Sequence, residues 1–115
     1  MKSTTNKNVN SQSEDKPKPE TKLEFAGGVS RQMLSGVKRM TIRRGKRSYN
    51  RNINIHGYPA VVEEIRHTTL MHTDFTLLSQ QGHRNMFNTL MTLQHFYPGI
   101  TVNDVITIVT YRMVL

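Results

Sequence analysis

Within the fourteen residues KRMTIRRGKRSYNR, Lys38 to Arg51, seven cations stand without a single acid. A guanidinium takes phosphate oxygens two at a time and an ammonium acts as a point charge, so the chemistry on offer is anion capture. The candidate cations are Lys38, Arg39, Arg43, Arg44, Lys46, Arg47 and Arg51, and Tyr49 adds a ring able to stack on a base. Arg31 extends the set. One aromatic among so many charges supports phosphate contact and not base specificity.

The rest of the chain sharpens that contrast. Residues 1–24 hold five Lys against four acids, residues 25–62 hold eight Lys and Arg against none, and residues 63–115 hold three Arg against four acids. The middle block therefore accounts for the whole net charge of +8. Like charges crowded together repel until something neutralises them, which favours a polyanion-facing surface over a merely solvated turn.

Other chemistries lack their residues. Five His (His56, His67, His72, His83, His95) fall at no metal-ligand spacing, and the chain has no Cys to assist them. Without Cys there are also no disulfides. GxSxG is missing, and neither GGVSRQ nor RRGKR has the spacing of a phosphate-cradling loop. Glu63 and Glu64 are adjacent and would point apart on a strand, so they make no carboxylate pair. The expectation is a protein that is not an enzyme and takes no cofactor and no metal.

The elements that must position the cations follow from pattern. Residues 1–22 are polar, with Pro17 and Pro19, and read as a disordered arm. Residues 23–115 read as a single domain of the α+β class, a small antiparallel sheet with one main helix. Ser30 caps a helical turn through Leu34 that Gly36 limits. Met40 and Ile42 alternate with Arg39, Thr41 and Arg43, while Tyr49, Ile53 and Ile55 share a second period-two face. With RGKR between them, the basic run is predicted to be a β-hairpin with a charged tip. AVVEEIRH fits strand or helix, and TLMHTDFTLL reads as a strand. Met86, Phe87, Leu90, Met91, Leu93 and Phe96 give a helix over residues 82–97, stopped by Pro98 and Gly99. In ITVNDVITIVTYRMVL, Thr101 and Asp104 suggest a helix cap, but the β-branched run Val105–Thr110 favours strand. Leu115 is expected to pack into the fold or a neighbouring subunit.

No apolar run approaches the ~20 residues needed to cross a bilayer, and the N-terminus lacks a secretory h-region. An intracellular protein, cytoplasmic or nuclear, is expected. Its expected partners are nucleic acid, RNA ahead of DNA, or an anionic membrane surface, together with further copies of itself. The runner-up is a structural or adaptor protein docking on an acidic protein or an anionic membrane surface.

Three strings, LEFAGGVSR, DFTLL and VITIVTYRM, in that order over residues 22–113, resemble the small matrix proteins of negative-strand RNA viruses, the bornavirus type in particular. That resemblance implies a compact sheet-and-helix protein, present in the virion, that self-assembles, lies against a membrane and touches RNA. It carries no functional residue across. QGH and ITVNDVI are similar to strings in replication enhancers of plant single-stranded DNA viruses, which would imply a replication accessory protein.

Overall fold

A computed structural model describes residues 18–114. The elements are β1 (Glu20–Lys22), α1 (Arg31–Leu34), β2 (Met40–Arg44), β3 (Tyr49–Ile55), β4 (Tyr58–Thr69), 3-10 turns at Leu70–His72 and Leu78–Gln81, α2 (Met86–Phe96) and β5 (Val105–Met113). The strands form one sheet in the order β1-β3-β4-β5-β2. β1 runs parallel to β3 and every other pairing is antiparallel, so this α+β sheet is mixed. Residues 1–17 of the expected arm lie outside the described residues, as does Leu115. The arm's predicted end at residue 22 is corrected: Glu20 N donates to Ser48 O (2.8 Å) and Leu23 N to Asn54 O (3.0 Å), which makes β1 an edge strand.

β5 is apolar on both faces because both are covered. Val109 and Tyr111 pack with Leu23, Met33, Tyr49, Ile53, Ile55 and Val62 inside the curl of the sheet. Ile106 and Ile108 pack on the opposite side with Met40, Ile42, Leu70, Leu78, Leu93 and Ile100, beneath α2. A β-bulge at Glu63 keeps β4 in phase with both: the register steps from Val62↔Tyr111 to Glu64↔Thr110, which returns Ile65 to the inner face opposite Val109. Burying one such aliphatic side chain contributes about 1.5–3 kcal/mol.

Local chemistry explains the boundaries. The Ser30 hydroxyl accepts from Met33 N (3.2 Å), and Gly36, at φ 84°, ends the short turn. α2 starts at Met86, later than the predicted 82, because the Asn85 side chain accepts from Asn88 N (2.8 Å) and caps it there. TLMHTDFTLL is not a strand. The Asp74 carboxylate accepts from Thr76 N (2.9 Å) and Thr76 Oγ1 (2.7 Å), and the Thr69 hydroxyl accepts from His72 N (3.3 Å). Those side-chain bonds favour turns over a ladder. Thr101 and Asp104 do meet, with Thr101 N donating to Asp104 Oδ2 (2.8 Å), but they close a turn before a strand.

The predicted hairpin is also corrected. β2 pairs with β5 and β3 pairs with β4, so β2 and β3 never touch as neighbours in the sheet. Residues 45–48 instead cross the ends of β5 and β4. Gly45 N donates to Val105 O (2.8 Å), and the buried Thr107 hydroxyl donates to Gly45 O (2.7 Å) while accepting from Arg47 N (2.8 Å). His67 Nε2 lies 2.6 Å from Arg47 O. Period-two alternation identified the strands, but it says nothing about which strand pairs with which. Thr107→Val keeps the shape and strands both backbone groups, an expected loss of about 1–3 kcal/mol. Thermal unfolding checks this; a melting temperature unchanged within a degree would show that the crossing is held by something else.

Candidate polyanion-binding site

The predicted cations separate into three settings. Arg39, Arg44, Lys46 and Arg51 are exposed. Arg47 is half-buried and pairs with Glu20 (Nη1 to Oε1, 3.2 Å), while its Nε donates to Arg44 O (3.3 Å). Both partners of that pair are more than a third exposed, so it contributes no more than about 1 kcal/mol. Lys38 and Arg43 are half-buried and face one pocket. Tyr49 sits in the inner core and not in a stacking position, with its hydroxyl buried and unpartnered. Burial raises its pKa, and the nearby Arg47 guanidinium offsets this only in part.

β2 carries the pocket because it is a sheet edge. Tyr111 N donates to Arg39 O (2.9 Å) and Gly45 N to Val105 O, so the odd-numbered residues of β2 turn their backbone groups to β5. Met40, Ile42 and Arg44 turn theirs outward. Three of these six groups are occupied among the described residues. Gln81 Oε1 accepts from Met40 N (3.1 Å), Lys38 Nζ donates to Met40 O (3.2 Å), and Arg44 O takes the Arg47 bond. Among the described residues the Ile42 N–H and C=O at mid-edge, and the Arg44 N–H, have no partner.

The pocket of about 460 Å³ lies against that open stretch, between Phe25 on one side and Leu93, Phe96 and Tyr97 at the end of α2 on the other. Curling of the sheet brings Phe25, just after β1, to β2: the Arg43 guanidinium carbon stands 4.9 Å from its ring centroid, a cation–π distance. Phe25 in turn packs against Tyr111 at 5.8 Å between ring centroids. Tyr111 is fully buried, and burial pushes its phenol up to about 12. Arg43 Nε and His83 Nδ1 are buried without hydrogen-bond partners among the described residues. Burial, and then the charge of Arg43, holds the Lys38 ammonium below its usual pKa. Burial and Lys38 likewise lower His83. Two cations thus share one half-apolar cleft.

The structure thus brings Lys38 and Arg43 together, spreads Arg39, Arg44 and Lys46 along and just beyond β2, and leaves Arg51 on β3. The sequence reading missed Phe25, His83, Phe96 and Tyr97 as companions of the cations, since only the curl and the return of α2 place them there. Among the described residues no three His, Asp or Glu gather at metal-binding spacing, and no helix is long and apolar enough to cross a membrane. No family model matches the chain, and no curated protein or solved structure matches it significantly.

His83 gives the site a pH signature. Its pKa is lowered on folding from 6.5, so below that pH the unfolded chain takes up the proton first and stability falls until the folded histidine is protonated too. His83→Gln should remove this component, a difference of up to about 1.4 kcal/mol per pH unit. Denaturant unfolding at a series of pH values down from 7 measures it; parallel curves for variant and parent would refute the buried-histidine assignment.

Proposed function

We propose that this protein binds a phosphate-bearing polyanion without catalysis, RNA ahead of DNA, through the cations of β2 and the crossing that follows it. The observation that carries the reading is the lack of internal neutralisation. Among the described residues the ion pairs are Arg47–Glu20, Arg66–Glu64 and Arg112–Glu63, so Lys38, Arg39, Arg43, Arg44, Lys46 and Arg51 have no carboxylate partner there. Cations in that condition gain free energy from an external polyanion chiefly by releasing its counterions. The likeness of LEFAGGVSR, DFTLL and VITIVTYRM to viral matrix proteins supports RNA as the polyanion and the virion or the host-cell interior as the setting.

Arg39, Arg44 and Lys46 are exposed, so replacing all three by Ala should spare the fold. Each lost contact removes about 0.7 from the log–log salt slope on single strands, so the triple variant should lose about 2. Filter binding at several salt concentrations reads the slope. An unchanged slope would remove these residues from the interface. Flotation with anionic vesicles in place of RNA retention would turn the reading toward a membrane-docking protein.

Self-assembly belongs to the same proposal. α2 buries Leu93 and Thr89, yet Phe87 is 70% and Met91 57% exposed one turn apart, an apolar stripe on its outer side. Phe87→Ser with Met91→Ser is expected to convert an oligomer into monomers in sedimentation velocity. A monomeric parent protein would end that part of the proposal.

A further inference from the structure

We infer that the pocket on the open stretch of β2 holds one unstacked nucleotide unit, a base with its phosphate, so that the interface selects single strands. The inference rests on the polyanion reading for its setting, but its grounds are the geometry of the pocket.

Three features coincide there. Lys38 and Arg43 supply charge for a phosphate, and Arg43 Nε has no partner within the described residues. Aromatic rings line a space of about 460 Å³: Phe96 and Tyr97 at the end of α2, and Phe25, whose ring already carries the Arg43 guanidinium. Bases stack on such rings whatever their identity, because every base has a π face. Between them Ile42 presents one open N–H and one open C=O. Every base edge offers an acceptor beside a donor, so that single pair can satisfy any base, and no base preference follows.

The same edge argues against an extended peptide. Strand addition needs a run of alternate open residues, and here Met40 is closed by Gln81 and Lys38, and the Arg44 carbonyl by Arg47. With Met40 closed on both groups and Arg44 on its carbonyl, Ile42 keeps the one complete free donor–acceptor pair of β2 among the described residues, which suits a compact ligand. A paired duplex cannot enter, because its bases are stacked and turned inward.

The test uses the full chain. Inorganic phosphate, a nucleoside 5′-monophosphate, a single-stranded RNA 12-mer and its duplex are titrated by calorimetry into the parent protein. They are titrated also into Thr92→Trp, in which an exposed helix residue at the pocket wall is enlarged without altering charge, and into Lys38→Gln. The folded state of each variant is checked by circular dichroism. The nucleotide should bind roughly 5- to 150-fold tighter than phosphate, the range that base stacking supplies, and the single strand tighter than the duplex. Thr92→Trp should erase both preferences while leaving the salt slope. Lys38→Gln should weaken phosphate and nucleotide in similar proportion.

The outcomes separate the two proposals. Parent protein that binds nucleotide no better than phosphate overturns the pocket, and so does a Thr92→Trp variant that keeps the single-strand preference. Binding of both RNA forms alike, with no effect of Thr92→Trp, overturns the pocket alone and leaves the charged interface standing. Tight binding of the free nucleotide with no binding of either RNA supports the pocket as a site for free nucleotides and overturns the polyanion reading. The chain contains no Trp, so fluorescence from Phe96→Trp, quenched by nucleotide and not by phosphate, gives an independent reading.

Discussion

The buried hydroxyl of Thr107 decides where the basic run goes. It donates to Gly45 O and accepts from Arg47 N, so a single side chain satisfies two backbone groups of a segment that belongs to no strand. An unmade bond at such a depth costs more than a made one contributes, and the pair therefore acts as a positional constraint. Because of it the chain leaves β2, crosses the ends of β5 and β4, and enters β3 on the far side of the sheet. With β2 kept off β3, β2 becomes an edge, and the edge is where the pocket forms.

Charge and hydrophobic packing then divide the labour along β2. Met40 and Ile42 tie the strand to the core beneath α2, while Thr41 and Arg43 face the inner side, toward Phe25. Burial, and then the nearby charge of Arg43, depresses the pKa of Lys38. Such an arrangement is unfavourable in the free protein, and the proposed anion would relieve it. The Glu20–Arg47 pair shows the contrasting case, in which the chain supplies its own counter-charge and leaves little for a partner.

Much of the fold was legible before the structure. The alternation at Met40/Ile42 and at Tyr49/Ile53/Ile55 marks real strands, the β-branched run from Val105 marks β5, and Ser30 and Gly36 bound a helical turn as their side chains require. TLMHTDFTLL was misread because the Thr69 and Asp74 side chains spend their oxygens on local backbone N–H groups, with Thr76 Oγ1 donating to Asp74 as well, and an apolar count does not register that competition. The hairpin was misread for a different reason. A Gly in a short polar gap permits a tight turn but does not require one, and strand pairing is a long-range choice. Glu20–Lys22 escaped notice because three polar residues beside a Pro carry no period at all.

The sequence by itself determined the chemistry: an uncompensated block of Lys and Arg, no thiols, no nucleophile motif, and one amphipathic helix ending at Pro98. Those follow from residue types and near-neighbour spacing, which survive any folding. Only the tertiary structure decided which cations meet, since Lys38, Arg43, Phe25 and Phe96 share a pocket through the curl of a sheet whose order is unrelated to sequence order. Contacts of that range depend on how whole faces are buried together, and the linear pattern does not encode them residue by residue.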